Sequence, residues 1–276
     1  MARQRVAALK GYTMDLARTE SLMLEGRGLT KYYAAIPAVR DVSFRIAPGG
    51  VLGLLGPNGS GKSTTVSILT GLLEQSGGTV TYGGRDIRDD LIAYKSRIGY
   101  VPEEAVLYSY LTGPEYLSLV GNLRGIATPV LNRRIDGFLH LFNLQDDVDA
   151  PMSAYSKGMR QKILISAALL HDPDVVILDE PNSGLDVTTT LVLRSLVRAL
   201  ANEGRIVVYS SHVLEIVEQV ATDVLILHDG RVVAHDSVAR LRELMQLPSL
   251  EQVFRRLVIE TDIDRVAQDI VGVMKA

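Results

Sequence analysis

Val51-Leu-Gly-Leu-Leu-Gly-Pro-Asn-Gly-Ser-Gly-Lys-Ser-Thr64 is the stretch that decides the fold. Val51 to Leu55 reads as a buried strand, and Lys62 to Leu73 reads as the helix that follows it. Between them, Gly56, Pro57, Asn58, Gly59, Ser60, Gly61, Lys62, Ser63 and Thr64 fit G-x-x-x-x-G-K-[ST], a pattern that random sequence supplies in roughly one chain in a hundred of this length. Strand, glycine loop and helix in that order form a cradle of backbone N–H groups at a helix N-terminus, the arrangement that holds a polyphosphate. Gly56, Gly59 and Gly61 permit the tight turn and close approach. Lys62 supplies a point charge for the β- and γ-phosphates, and the Ser63 hydroxyl can ligate Mg²⁺.

A second segment extends the chemistry. Val175-Val-Ile-Leu-Asp-Glu180 is four apolar residues followed by two carboxylates. In an open α/β sheet, ligands bind at the C-terminal edge of the strands, which is where such a segment delivers Asp179 and Glu180. Asp179 suits the Mg²⁺ shell, and Glu180 can take a proton from an attacking water. Together the two segments predict binding and hydrolysis of ATP with Mg²⁺ as cofactor.

Further candidate strands at Ile98–Val101, Val175–Leu178, Ile206–Tyr209 and Val224–Leu227 alternate with helical patterns. They predict an α/β fold: a P-loop NTPase core with a mainly parallel sheet. Ser21–Thr30, Val42–Ile46 and Thr79–Tyr82 alternate in polarity and predict a small antiparallel β subdomain beside it. Strand signals vanish between Gly113 and Leu170, where Leu117, Val120, Ile135, Leu139 and Phe142 recur at helical spacing. The chain therefore divides into an N-terminal extension (1–20), a nucleotide-binding domain (21–236) with a helical subdomain inserted at about 104–170, and a C-terminal helical appendage (237–276). The appendage contains candidate helices at Val238–Met245, Leu250–Val258 and Ile263–Met274.

Composition narrows the function classes. The 276 residues are 47% hydrophobic and 22% charged, with net charge −3 and no cysteine. Such a chain can bury a full core, has no disulfide or thiolate metal site, and lacks the overall basic character of a nucleic-acid binder. Apolar runs are far shorter than the roughly 20 residues a membrane-spanning helix needs. Met1–Glu20 is interrupted by charges and reads as a mobile tail rather than a secretory signal. These features predict a cytoplasmic location.

Tyr155-Ser-Lys-Gly-Met-Arg-Gln161 resembles the signature loop of ATP-binding cassette (ABC) proteins. It precedes Asp179-Glu-Pro-Asn-Ser-Gly-Leu-Asp186, which resembles their Walker B segment and D-loop. The resemblance covers about Leu22 to Asp236. It implies two cassettes sandwiching two ATP molecules, with Ser156 and the Gly158 backbone contacting the γ-phosphate across the dimer and Asp186 coupling the two sites. It also implies that His212 is the switch histidine that contacts the γ-phosphate and that Tyr33 stacks on adenine, with Tyr32 a close rival. Lys157, Met159 and Glu103 depart from the commonest pattern. Glu103 takes the usual place of a glutamine, and a carboxylate there can still approach Mg²⁺.

The Ser-Lys-Gly-Met variant, the Pro-Glu variant and Ser249-Leu-Glu-Gln-Val-Phe254 resemble the subgroup serving bacterial ABC-2 type exporters. That likeness implies an ATPase subunit at the cytoplasmic face of the membrane. Its expected partners are a separate ABC-2 type permease and a second copy of the cassette, with no nucleic acid. Glu103–Leu111, with Tyr108 and Tyr110, is the candidate groove for the permease. A non-transport ABC ATPase acting in translation or DNA repair is the alternative.

Overall fold

A computed structural model describes residues 22–104, 106–258, 270–271 and 273–274. The N-terminal extension at 1–20 lies outside the described residues, as does most of the candidate helix Ile263–Met274, of which the described positions are helical.

The chain opens with a hairpin, β1 (Leu24–Tyr33) and β2 (Ile36–Ile46), before β3 (Val51–Leu55) and α1 (Lys62–Leu69). Next come β4 (Gly77–Tyr82), β5 (Arg85–Asp86), α2 (Leu91–Ser96) and β6 (Ile98–Val101). β2, β1, β4 and β5 form a four-stranded antiparallel sheet in that order. The helices α3 (Gly113–Leu123), α4 (Thr128–Leu141) and α5 (Lys157–Leu169) separate β6 from β7 (Val175–Asp179). After β7 the chain runs through α6 (Val187–Asn202), β8 (Ile206–Ser210), α7 (Leu214–Val220), β9 (Asp223–His228) and β10 (Arg231–Ser237). It then forms α8 (Val238–Met245) and α9 (Leu250–Val258).

The main sheet has the order β10-β9-β3-β8-β7-β6, with all neighbours parallel except the β10 edge. Its central strands β3, β7 and β8 are buried at every position. That explains their unbroken apolar runs, because a parallel sheet is covered on both faces. The pleat sorts each strand between two cores. Val176, Leu178, Val207 and Tyr209 face the helical insert, packing with Leu117, Leu131, Ile135 and Ile163. Val175, Ile177, Ile206 and Val208 face the opposite side, packing with α1 and with Leu24, Phe44 and Val80 of the antiparallel sheet.

The insert is fixed by local signals as well as packing. Thr112 caps α3 by accepting from the Glu115 amide, while the Glu115 carboxylate accepts from the Thr112 amide at 2.8 Å, a reciprocal capping box. Gly121 lets α4 approach closely, since a Cβ there would sit 2.2 Å from Leu131 Cδ1.

Several elements differ from the sequence expectation, among them β2, which begins at Ile36 rather than Val42. The helix after the glycine loop stops at Leu69 rather than Leu73, because Gly71 adopts φ +65° and ends it in the left-handed manner. The first strand runs on to Tyr33, lengthened by its hairpin with β2. β10 is an edge strand that extends the main sheet; its alternating burial gave no continuous apolar run, although Asp229-Gly230 is a turn signal.

Ile177 is fully buried in β7. Ile177→Ala is expected to cost about 2–5 kcal/mol of stability, measured by urea unfolding.

Candidate functional site

Four strands of the main sheet end on the same side, and their C-terminal extensions carry the polar groups. β3 enters the glycine loop, β7 ends in Asp179 and Glu180, β6 leads to Glu103, and β8 leads to Ser211 and His212. A cavity of about 450 Å³ opens there, walled by Asn58, Gly59, Gly61, Lys62, Ser63, Thr64, Glu103, Asp179, Glu180 and Ala38 of β2. The two motifs read from sequence thus meet at one place.

The loop depends on its glycines. Gly61 caps α1 at φ +103°, and a Cβ there would lie 2.6 Å from the Ala38 carbonyl oxygen. A side chain at Gly56 would meet Ser60 Oγ at 2.3 Å and the Leu227 carbonyl oxygen at 2.4 Å. The Ser60 amide donates to the Pro57 carbonyl at 3.1 Å, closing the turn. Lys62 is buried, and its Nζ donates to the carbonyls of Gly56 at 2.7 Å and Pro57 at 3.1 Å. The ammonium is therefore held over the loop by dipoles alone, positioned to meet an anion.

Opposite the loop, the charge is negative. Asp179 is 4% exposed. Burial pushes its carboxyl above the usual range, and the carboxylates of Glu103 and Glu180 push it the same way, while the Ser210 hydroxyl and then the Lys62 ammonium oppose them. Glu180 follows with a left-handed backbone, φ +46°, which for a residue with a side chain costs of order 1–3 kcal/mol. Neighbours hold it there: its amide donates to the Ser210 carbonyl at 3.0 Å and its carbonyl accepts from the Ser183 amide at 3.2 Å. Its carboxylate Oε2 lies 2.8 Å from His212 Nδ1, so His212 reaches the cavity through Glu180.

Not all candidate residues gather here. Ser156 caps α5 by accepting from the Met159 amide at 3.2 Å, and Asp186 caps α6 by accepting from the Thr189 amide and hydroxyl at 2.8 and 2.7 Å. Neither they nor Gly158 line the cavity. Tyr33 and Tyr32 are half exposed at the tip of the β1–β2 hairpin and also lie off its wall, although β2 reaches the wall at Ala38. Lys31 Nζ sits 5.8 Å from the centre of the Tyr33 ring. Sequence reasoning missed Ala38, which carries no polar group to mark it. It also missed Ser183 as a support of the Glu180 backbone, since backbone hydrogen bonds leave no residue signature.

Residues 39–183 match the family model described as ABC transporter. The chain belongs to the ABC transporter family. It is 36% identical over 220 residues to the ABC transporter ATP-binding protein NatA of Bacillus subtilis, covering 79% of this chain and 89% of that one. It is 32% identical over 212 residues to the Nod factor export ATP-binding protein I of Ralstonia nicotianae, covering 77% and 66%. A solved ATP-binding subunit of an ABC transporter superposes with a TM-score of 0.80 at 32% identity, covering 85% of this chain and 99% of that one. The chain is accordingly the ATPase subunit of an ABC transporter.

The raised Asp179 carboxyl has a consequence for stability. A group whose pKa is higher in the folded than in the unfolded state contributes stability at acidic pH and loses it as pH rises through the folded value. Ionisation of Asp179 as pH rises therefore weakens the nucleotide-free fold. Asp179→Asn is expected to raise Tm at pH 7 in the absence of nucleotide, with the difference shrinking toward about pH 4, where carboxylates protonate. Thermal unfolding across this range is the measurement.

Proposed function

We propose that this ABC ATPase works as a pair of cassettes that power export through a separate ABC-2 type permease, docked at the cytoplasmic face of the membrane. One observation carries the reading: the glycine loop and the Asp179-Glu180 pair share a cavity that the signature residues of the same chain do not reach. A second cassette, most simply a second copy, supplies Ser156 and Gly158 to the γ-phosphate, and Asp186 links the two sites. Gly56, Pro57, Asn58, Gly59, Ser60, Gly61, Lys62, Ser63 and Thr64 cradle the phosphates, and Tyr33 stacks on the base. Glu180 accepts the proton of the attacking water, with His212 orienting it.

Mg²⁺ suits the donor set. Among the described residues no group of three or more His, Cys, Asp or Glu gathers as an all-protein metal cage. Ser63 and Asp179, with Glu103 near, are hard oxygen donors of the kind Mg²⁺ takes while keeping waters and phosphate oxygens. When bound, the ion would neutralise developing phosphate charge and answer the excess of carboxylates around Asp179.

Support for the exporter reading comes from the Ser156-Lys-Gly-Met159 and Ser249-Leu-Glu-Gln-Val-Phe254 variants and from a relative named for Nod factor export. No helix among the described residues is long and apolar enough to cross a membrane. The permease contact is placed at Glu103–Leu111. There Tyr108 and Tyr110 are 53% and 75% exposed, their ring centres 6.0 Å apart, and Tyr108 packs 6.4 Å from Tyr116.

Glu180→Gln is expected to lower phosphate release roughly 10²- to 10⁴-fold while ATP binding persists; unchanged release would remove Glu180 as the base. Tagged protein drawn from detergent-solubilised native membranes should carry a polytopic permease in stoichiometric amount, and Tyr108→Ala with Tyr110→Ala should lose it. Ribosomal or DNA-repair partners in place of a permease would overturn the transporter assignment.

A further inference from the structure

The signature turn departs from its family pattern at Lys157, and the structure gives this lysine specific work. Its Nζ donates to Ser183 Oγ at 2.6 Å. Its stem lies over Gly184, where a Cβ would come within 2.7 Å of Lys157 Cγ. Gly184 has φ +80° and no side chain, so it both makes the turn and leaves room for the lysine.

Three neighbours join the same seam. Gly158 lies close to the Gly184 carbonyl, which a Cβ on Gly158 would approach to 2.7 Å. Gln161 Nε2 donates to the Pro181 carbonyl at 3.1 Å, and Lys162 Nζ stands 4.0 Å from Asp186 Oδ2. The first turns of α5 are thus stitched along the whole segment from Pro181 to Asp186.

That segment begins at Glu180. Ser183 receives Lys157 on its hydroxyl and donates its own amide to the Glu180 carbonyl. Two hydrogen bonds therefore run from Lys157 to the backbone of a glutamate held at positive φ. We propose that Lys157 is a positioning residue: through Ser183 it fixes the Glu180 backbone, and so couples contact at the signature turn to the hydrolytic site of the same chain. This rests on the assignment of Glu180 as the base and of Ser156 and Gly158 as the contact for a neighbouring cassette's nucleotide. A lysine in place of glycine at the signature turn is then a brace rather than a defect. It reaches sideways along the chain instead of forward to phosphate.

The test is a double-mutant cycle on full-length protein, reconstituted with its permease or assayed as the free cassette at high concentration. Lys157→Met keeps the stem and removes the ammonium; Ser183→Ala removes the acceptor. Each is expected to lower kcat for ATP hydrolysis roughly three- to tenfold, the effect of an exposed charge-assisted hydrogen bond. KM for ATP should stay within about twofold, and the double variant should be no slower than the worse single one. Lys157→Arg should recover much of the rate, because a guanidinium still reaches Ser183. Thermal unfolding and binding of a fluorescent ATP analogue verify that each variant folds.

Glu180→Gln is run alongside. If it is inactive while Lys157→Met and Ser183→Ala hydrolyse ATP at the native rate, the brace is wrong and the base stands. If Glu180→Gln itself keeps its activity, the underlying assignment has failed. If Lys157→Met raises KM while Ser183→Ala is silent, the lysine acts on phosphate directly and the positioning role is overturned.

Discussion

The register of one parallel sheet is the constraint on which this ATPase depends. β3, β7 and β8 are buried at every position, and up to the Asp179 and Ser210 that close β7 and β8 they consist of glycine, aliphatic residues and one tyrosine, so each residue has one acceptable side. Sliding a strand by one residue would exchange the two cores and move Asp179 away from the glycine loop. The pairing of Val51 with Val207 and of Asp179 with Ser210 brings three strand ends to the same edge. Polar chemistry is confined there because, apart from the Tyr209 hydroxyl, the strands supply no polar side chain before their last residues.

Concentrating charge at that edge sets up an electrostatic opposition. A buried ammonium is held by backbone carbonyls, and a buried carboxylate lies among its own kind. Each lacks part of its natural counter-charge in the protein alone. In the proposed mechanism a triphosphate would answer the loop and a divalent cation the carboxylates, so that the same imbalance that weakens the nucleotide-free fold would favour ligand. The left-handed backbone at Glu180 adds a second local cost, held in place by Ser210, Ser183 and His212. Strain and unmet charge thus coincide at the residues proposed to act, as expected where preorganisation serves chemistry.

Much of the core was legible because it consists of strong, local patterns. A continuous apolar run can only be a doubly covered strand or a buried helix; Gly50 and Gly56 around Val51–Leu55, and Pro173 and Pro181 around Val175–Leu178, favour short strands. The helical insert was legible through the spacing of Leu117, Ile135 and Leu139, all of which are buried in one cluster. What escaped reading was weak or non-local. β10 alternates in burial along a sheet edge, and the short α2 and β5 carry too few residues for a period to emerge. Ala38 enters the cavity wall only because a hairpin distant in sequence folds over Gly61.

The sequence by itself determined the chemistry: a phosphate loop, a carboxylate pair and a signature turn, each legible because its function constrains neighbouring residues. Tertiary structure decided which of those groups share a cavity. Lys62, Asp179, Glu180 and Glu103 converge, whereas Ser156, Gly158 and Asp186 face elsewhere. It also decided that His212 meets Glu180 and that Lys157 reaches Ser183. The physical reason is that a motif records local geometry. Partnerships between residues 26 or 32 positions apart are set by sheet register and helix packing, which no short stretch of chain encodes.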